Sequence, residues 1–221
     1  MIGIIAAMSE ELNEIEALMD DVSEQIIHNT RFLVGKMEGK EVVAVLSRVG
    51  KINATVSTML LLTNFKIDKI INVGSAGGLK RDMRLKDVVI STKVKQHDMN
   101  IELSGQPMYF DADEELIEKA YEASKKIENI TVQKGLIVSG DQFVMANEAM
   151  HIIEKFPDAL CSEMEAAAVA NTCWRMNVPF VVIRSISDFP HTGENEMTFE
   201  EYLVYAARNS AIVTQALVKS I

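Results

Sequence analysis

The chain contains 221 residues, of which 48% are hydrophobic and 24% charged, with 11 Gly and 4 Pro. This composition excludes collagen-like, low-complexity and disulfide-scaffold proteins and favours one globular domain spanning residues 1–221. The formal net charge of -10 makes nucleic acid a poor partner, because its phosphates repel an acidic protein. The sequence shows neither a signal-peptide pattern nor a run of about 20 apolar residues, so we expect a cytoplasmic protein without a membrane anchor.

Short runs rich in Val and Ile alternate with longer segments of helical periodicity, which is typical of α/β proteins with a mostly parallel sheet. Strands are predicted at residues 2–6, 31–37, 41–46, 69–73, 87–91, 134–139 and 180–186. Helices are predicted at residues 10–19, 52–64, 114–126, 147–155, 164–176 and 199–218. Glu38-Gly39 predicts a hairpin turn, and Thr198 with Glu201 predicts a capping box at the start of the last helix.

Polar residues cluster where predicted strands end, at residues 8–11, 74–78 and 184–188. The last strand is wholly apolar over residues 180–183, as expected of a strand covered on both faces, and turns polar at Arg184. In open α/β sheets, ligands bind beyond the carboxyl ends of the strands. These segments are therefore the first places to look for a functional site.

Glu11 is the first candidate for catalysis. Ser9 is predicted to cap the following helix, where the helix dipole favours acidic residues in the first turn. Glu11 shares a stripe with Ile15 and Leu18 and so borders the buried side of that helix, whereas Glu10 falls on a charged row. The same pattern also fits an acid that only stabilises the helix end.

Glu163 and Glu165 lie two residues apart at the start of a predicted Ala-rich helix. On a helix this spacing separates two side chains by about 200°, so at most one of them is expected to line a pocket. Both also fit solvated acids of a first helical turn.

Other candidates lie at the ends of later strands. Glycines in residues 74–78 let the backbone approach a ligand closely, although a tight strand-to-helix turn is an equal alternative. The segment lacks both the Walker A ending and the G-x-G-x-x-G spacing, which disfavours an NAD-dependent enzyme. Arg184 and Asp188 share a face if their strand continues, and form either a structural ion pair or part of a site. Phe143, in a loop, can stack on a planar base or pack in the core.

The cysteines and histidines show no metal-ligand pattern. Cys161 and Cys173 are not part of a C-x-x-C motif, and the 4 His residues share no spacing. We therefore predict reduced thiols, no metal site, and histidines with structural or surface roles.

These motifs and several others, taken in order, resemble one known enzyme family. The matching segments are IGIIAAMSEE (2–11), VGKIN (49–53), INVGSAGG (71–78), HD (97–98), GLIVSGDQF (135–143), EMEA (163–166) and VPFVVIRSISD (178–188). Together they resemble the 5'-methylthioadenosine/S-adenosylhomocysteine nucleosidases of the nucleoside phosphorylase superfamily. The resemblance covers nearly the whole chain.

The resemblance implies a single-domain, three-layer α/β/α fold with a central mixed, twisted sheet flanked by helices. It also implies a homodimer that hydrolyses the bond between adenine N9 and ribose C1' without a cofactor. By the same resemblance Asp188 donates a proton or hydrogen bond to purine N7, Glu11 activates the attacking water, and Glu165 holds the ribose hydroxyls. The other implied contacts to substrate or water are Met8, Val49, Ser75, Ala76, Gly77, Phe143, Val144, Glu163, Met164, Arg184, Ser187 and Phe199.

Physical chemistry explains this division of labour. An anionic purine is a poor leaving group, so an acid must neutralise it while positive charge grows on the sugar ring. A carboxyl group kept protonated by burial or by a neighbouring negative charge can donate, and an ionised carboxylate can accept a proton from water. Crowding of Glu11, Glu165 and Asp188 is expected to raise the pKa of at least one of them, and we assign the raised pKa to Asp188.

The chain departs from the family pattern in places. The stretch between Asp98 and Asp111 is shorter, which leaves the preferred 5' substituent open. Arg48 stands where these nucleosidases usually carry a small residue and could favour phosphate, and residues 189–196 could reshape a lid. Alternatives are a phosphate-dependent purine nucleoside phosphorylase, a hydrolase of 5'-deoxyadenosine or 6-amino-6-deoxyfutalosine, and a non-catalytic nucleoside sensor or storage protein.

Overall fold

The computed structural model describes residues 1–99, 105, 107–192 and 195–221, with the side chains at 195–198 outside that description. Within these residues the strands are β1 Ile2–Ala6, β2 Asp20–Ile27, β3 Thr30–Met37, β4 Lys40–Leu46, β5 Lys69–Gly78, β6 Val88–Gln96, β7 Phe110–Asp111, β8 Val132–Ser139, β9 Ala159–Glu163 and β10 Phe180–Asp188. The helices are α1 Ser9–Glu16, α2 Lys51–Asn64, α3 Glu114–Ser124, α4 Ala146–Lys155, α5 Ala166–Met176 and α6 Asn195–Ser220, with a 3-10 turn at Pro190–Thr192. The α/β class is as predicted.

One mixed sheet contains all the described strands, in the order β10-β6-β8-β9-β5-β1-β4-β3-β2, with β7 paired to β6. Because β10 also pairs with β5, strands β5, β9, β8, β6 and β10 close into a ring, and β1, β4, β3 and β2 extend from it. β5 serves both parts, since β1 pairs with its first half and β9 pairs with Gly77 and Gly78. The central mixed sheet confirms the predicted fold class.

The strands β1, β4, β5 and β10 run parallel, so their carboxyl ends meet at one edge of the sheet. Every residue of β1 and of β10 is buried, which explains why residues 2–6 and 180–183 are continuously apolar rather than alternating. The predicted polar segments at residues 8–11, 74–78 and 184–188 all follow or end these strands. The sheet therefore brings them to a common edge.

Several strands are longer than predicted, β5, β6, β8 and β10 among them, and three were missed. β10 pairs with β5 as far as Asp188 opposite Gly77, so the alternative of a tight turn at residues 74–78 is wrong and the segment is extended strand. β2 carries exposed side chains along nearly its whole length, so it shows no alternation of apolar and polar residues. β7 and β9 span 2 and 5 residues, too few to show a period.

The hairpin predicted at Glu38-Gly39 is confirmed, because Met37 pairs with Lys40 across it. Glu38 and Gly39 have φ angles of 50° and 76°. Two successive positive φ angles define a type I′ turn, whose twist matches that of the flanking strands.

Helix starts differ from prediction in ways that matter for the site. The cap of α1 is Met8 rather than Ser9. α5 begins at Ala166, after both candidate glutamates, rather than at Met164. α6 begins before Thr198, which therefore lies inside the helix and cannot cap it, so the predicted capping box is wrong. None of the described helices is long and apolar enough to cross a lipid bilayer.

The buried core is built mainly from Ile, Val, Leu and Ala of the sheet and of the helices packed on it. Cys161 and Cys173 are both buried in it as free thiols. Burial raises the pKa of both, that of Cys173 to about 12. Both thiols are therefore packing residues.

Candidate active site

A cavity of about 330 Å³ opens where β1, β5 and β10 end. A volume above about 300 Å³ is typical of a small-molecule site. Its lining residues are Ala7, Met8, Glu11, Val49, Ser75, Ala76, Gly77, Gln142, Phe143, Val144, Ser162, Glu163, Met164, Glu165, Ser187, Asp188, Pro190 and Phe199. The structure thus brings together every residue predicted for the site except Arg184, which lies behind the lining.

Glu11 lines the cavity and is 3% exposed. Its Oε2 accepts hydrogen bonds from the backbone N–H groups of Ala7 at 2.9 Å and Met8 at 3.1 Å. Its Oε1 accepts from the backbone N–H of Ser75 at 2.9 Å and from the Ser75 hydroxyl at 3.1 Å. Glu11 therefore joins the end of β1 to the last part of β5, beyond a role at the helix end.

Glu163 and Glu165 both line the cavity, so the prediction that at most one could do so is wrong. Neither lies within a helix: Glu163 ends β9 and Glu165 is the cap of α5. Glu163 Oε2 accepts from the backbone N–H groups of Glu165 at 2.9 Å and Ala166 at 2.8 Å, and the Ser139 hydroxyl donates to Oε1. Glu163 thus supports the start of α5 and the backbone next to Met164.

Arg184 is 1% exposed and neutralises the glutamates from behind. Its Nη2 donates to Glu163 Oε2 at 2.5 Å and to Asn72 Oδ1 at 2.8 Å, and lies 3.6 Å from Glu165 Oε2. The alternative of a structural ion pair with Asp188 is wrong, because the guanidinium pairs with the two glutamates. A buried charge of this kind is tolerable only when it is paired.

Gly74 makes room for this arrangement. A side chain there would place its Cβ 2.5 Å from Arg184 Nη1 and 2.6 Å from Glu11 Oε1. Only glycine allows the backbone of β5 to pass so close to both charged groups.

Asp188 is 2% exposed and ends β10. The Ser187 hydroxyl donates to Asp188 Oδ1 at 2.8 Å. Burial raises the pKa of Asp188 to about 6, against the opposing effect of the Ser187 hydrogen bond. The predicted direction is confirmed, but the cause is burial rather than crowding by Glu11 and Glu165.

A neighbouring carboxylate affects the pKa of Glu165 rather than that of Asp188. Burial, followed by the negative charge of Glu163, raises the pKa of Glu165 to about 8. Arg184 and the backbone N–H of Gly50, which donates to Glu165 Oε1 at 2.8 Å, partly oppose this rise. The cavity therefore contains two carboxyl groups that take up protons more readily than an exposed acid does.

Phe143 and Phe199 form an apolar wall. Phe143 follows β8 in a loop, is 41% exposed, and meets the ring of Phe199 edge-on at 5.5 Å between centroids. Phe199 belongs to α6. A flat aromatic ligand can stack against such a wall, and the alternative of a Phe143 packed in the core is wrong.

A family model described as the phosphorylase superfamily matches residues 1–220. The chain is 44% identical over 230 residues to the 5'-methylthioadenosine/S-adenosylhomocysteine nucleosidase of Marinomonas sp. (strain MWYL1), covering 99% of this chain and 98% of that protein. The chain belongs to this nucleosidase family of the phosphorylase superfamily.

Solved structures agree with this assignment. The 5'-methylthioadenosine/S-adenosylhomocysteine nucleosidase from Neisseria meningitidis, in complex with methylthio-immucillin-A, has a TM-score of 0.95 and 37% identity, covering 100% of this chain and 99% of that one. The native structure of futalosine hydrolase of Helicobacter pylori strain 26695 has a TM-score of 0.93 and 30% identity, covering 100% and 97%. The same backbone thus carries hydrolases named for different nucleosides.

Arg48, which was expected to favour phosphate, does not reach the cavity of this nucleosidase-family chain. It is exposed, has a φ angle of 68°, and is absent from the lining. No Lys, Arg or His side chain lines the cavity in the described part of the chain.

The other two expected departures from the family pattern fall partly on residues that the structure leaves undescribed. In the stretch between Asp98 and Asp111, which was expected to be shorter than in the family, residues 100–104 and 106 lie outside the described ranges. In the expected lid segment, residues 189–196, Pro190 lines the cavity, while 193 and 194 lie outside them.

Several functional neighbours were missed by the sequence reasoning. Asn72 is buried in β5. Its amide nitrogen donates a hydrogen bond to Ile5 O at 3.0 Å, and its Oδ1 accepts one from Arg184 Nη2. A polar amide inside the apolar run 69–73 was a readable signal for this role. The contact of Gly50 with Glu165 had none, because it depends on the three-dimensional approach of α2 to α5.

Proposed function

We propose that this protein hydrolyses the N-glycosidic bond of 5'-methylthioadenosine and S-adenosylhomocysteine, releasing adenine and the 5-thio-ribose product. The family assignment and the inhibitor-bound relative support nucleoside hydrolysis. The cavity lining has no basic side chain in the described part of the chain, which supports water rather than phosphate as the second substrate.

One observation carries the choice of hydrolysis over phosphorolysis. The described lining has the carboxyl groups of Glu11, Glu163, Glu165 and Asp188 and no basic side chain. The Ser75 donors and the amides of residues 7 and 8, which could hold an anion, are already bonded to Glu11. A phosphate dianion would find no basic side chain in this lining and donors that are already occupied, whereas a neutral water needs neither a counter-charge nor those donors.

Asp188 is the proposed acid. Its raised pKa keeps a share of the side chain protonated near neutral pH, where an exposed aspartate is ionised. A protonated carboxyl group beside purine N7 neutralises the leaving base as the bond to C1' breaks. Exclusion of water by a bound nucleoside favours the protonated form further.

Glu11 is the proposed base. The four donors fix the orientation of its carboxylate, and the Ser75 hydroxyl is the one that can rotate away. Rotation would leave a lone pair of Oε1 free to accept a proton from the attacking water. The negative charge of the Glu11 carboxylate also stabilises the positive charge that develops on the ribose.

Glu165 and the backbone of Met164 are proposed to hold the ribose hydroxyls, with Arg184 and Glu163 fixing their positions. Phe143, with Phe199, is proposed to stack on adenine beside the backbone of Val144. Ser75 and Gly77 complete the side from which water attacks. This arrangement places an acid on the base and a carboxylate on the sugar, and needs no cofactor.

The homodimer is also a proposal. Ile52, Val56 and Met59 lie on one face of α2 and are 78%, 51% and 36% exposed. An exposed apolar stripe of this kind is typical of a protein interface. Sedimentation equilibrium should give twice the chain mass for the wild type and the single chain mass for Ile52→Glu; a monomeric wild type would contradict the proposal.

Hydrolysis of a futalosine-type nucleoside is the second candidate. It is supported by the likeness to futalosine hydrolase of Helicobacter pylori. The two candidates share every step at the glycosidic bond and differ only in the group carried at the 5' end.

The deciding experiment follows base release in phosphate-free buffer from 5'-methylthioadenosine, S-adenosylhomocysteine, 5'-deoxyadenosine and 6-amino-6-deoxyfutalosine. We expect adenine from the first two, at a rate that added phosphate does not change. Release that requires phosphate and yields a sugar 1-phosphate would overturn hydrolysis. Binding of the nucleosides without any turnover would establish a sensor or storage protein instead.

A further inference from the structure

Charged side chains outside the cavity join three segments that are far apart in the sequence. Lys51, at the start of α2, places its Nζ 2.7 and 2.8 Å from the carboxylate oxygens of Asp98 and 3.1 Å from Gln96 Oε1. The backbone N–H of Lys51 donates to Asp141 Oδ1 at 2.8 Å, and that of Asp141 donates to Asp98 Oδ2 at 3.0 Å. Lys51, Asp98 and Asp141 thus form a closed set of hydrogen bonds, here called the Lys51 cluster.

The Lys51 cluster is more sheltered than an ordinary surface ion pair. The side chains of Lys51 and Asp98 are 17% and 33% exposed, against 53% and 75% for the pair of Lys36 and Asp21. Burial opposes ionisation of Asp98, but hydrogen bonds from Lys51 and from the Asp141 backbone lower its pKa overall. Several charge-assisted hydrogen bonds in one place hold a geometry that a single exposed pair does not.

Each end of the cluster is one residue away from a cavity contact. Gly50, directly before Lys51, donates its backbone N–H to Glu165 Oε1 at 2.8 Å. Directly after Asp141 come Gln142, Phe143 and Val144, which line the cavity, whereas none of the three cluster residues does. The cluster therefore connects Gly50, which supports the side chain proposed to hold the ribose, to the loop that faces the base.

The base-facing loop is also fixed where it leaves β8. The imidazole of His97, which is 7% exposed, lies against Gly140 so closely that any side chain there would collide with it. The backbone N–H of His97 donates to Ser139 O at 2.9 Å, and that of Gly140 donates to Glu163 O at 3.1 Å. The loop therefore starts from a fixed point and is tied again one residue later, at Asp141.

We propose that the Lys51 cluster is a positioning device that sets the distance between the loop carrying Phe143 and Val144 and the carboxyl group of Glu165. The inference rests on the proposed function, in which these groups hold the base and the ribose. A loop and a carboxyl group held at one fixed separation bind the base and the sugar equally well in the ground state and in the transition state. The cluster residues act through their neighbours and do not touch the substrate.

The test is Lys51→Met, with Lys51→Arg as the rescue and Lys36→Met as the matched control. For Lys51→Met we expect KM for 5'-methylthioadenosine to rise about 10-fold while kcat changes less than about 3-fold, because the lost contacts serve ground state and transition state alike. Adenine affinity, measured by calorimetry, should fall by a similar factor. Lys51→Arg should restore most of both, and Lys36→Met should change neither.

Wild-type KM and adenine affinity in a folded Lys51→Met protein would overturn the proposal. So would a loss that Lys51→Arg does not repair, or a lower melting temperature as the sole effect. If Lys51→Met does not fold, Asp98→Asn carries the same expectation. A wild type that binds adenine but hydrolyses no nucleoside would refute the proposed function, while the calorimetric comparison still decides the role of the cluster.

Discussion

The two sides of the cavity treat their carboxyl groups differently. On the side where β1 ends, Glu11 receives four hydrogen bonds from Ala7, Met8 and Ser75. On the other side, the described donor to Asp188 is the hydroxyl of Ser187. Both side chains are buried, so the supply of donors rather than solvent exposure distinguishes them. One fold can thus prepare one carboxyl group to hold a fixed orientation and another to keep a proton.

The largest expected effect is on the Asp188 side. Asp188→Asn removes the proton that neutralises the leaving base but keeps the shape of the side chain, so kcat should fall by about 10² to 10⁴-fold. Steady-state adenine release measures this. Activity close to that of the wild type would remove Asp188 from the mechanism and would erase the contrast between the two sides.

The buried ion pairs behind the cavity should matter most for stability. Arg184→Met leaves Glu163 and Glu165 buried without their counter-charge, which should lower the free energy of unfolding by about 3–5 kcal/mol. Lys36→Met breaks an exposed pair and should change stability by less than about 1 kcal/mol. Urea unfolding of both variants provides the comparison. Equal losses would show that burial of the Arg184 charge is not what matters.

Asp188→Asn should increase the stability of the protein at high pH, whereas Arg184→Met decreases it. Because the pKa of Asp188 rises from 3.8 to about 6 on folding, the stability it contributes is fully present below pH 3.8 and is lost as the pH rises through about 6. Asp188→Asn avoids burying that charge. The free energy of unfolding of this variant should therefore exceed that of the wild type by on the order of 1–3 kcal/mol at pH 8 and equal it near pH 4.

Thermal unfolding at the two pH values measures this gain. A gain of equal size at pH 4 and pH 8 would mean that packing, not ionisation, is responsible. No gain at pH 8 would mean that the charge of Asp188 is well solvated in the native protein.

A smaller effect is expected at the aromatic wall. Phe143→Ala removes a ring that is 41% exposed and so contributes stacking rather than core packing. KM should rise about 5- to 20-fold with little change in kcat, since a base stacks equally in ground and transition states. Phe143→Tyr keeps the ring and should behave like the wild type. An unchanged KM for Phe143→Ala would place the base elsewhere in the cavity.

Sequence reasoning worked best where a signal was local or repeated. The apolar runs of β1, β5 and β10 and the polar residues that follow them indicated both the sheet and the edge that carries the cavity. The turn at Glu38-Gly39 was readable from two residues. β2 was not readable, because an edge strand with exposed side chains has no apolar alternation.

The sequence predicted which residues belong to the site but not how they are arranged in space. The positions of Glu163 and Glu165 were misjudged because a two-residue shift in the start of α5 turns opposed helix faces into adjacent cavity walls. The pKa of Asp188 was predicted in direction, while its cause depends on burial that only the fold reveals. Long-range contacts, such as Gly50 with Glu165, leave no pattern in the chain.

The most direct test of this account is the pH dependence of kcat/KM for adenine release by the wild type and by Asp188→Asn, in phosphate-free buffer. We expect the wild-type value to decline as the pH rises above about 6, where the free enzyme loses the Asp188 proton, and the residual activity of Asp188→Asn to lack that decline. The same decline in both proteins, or none in the wild type, would contradict the account.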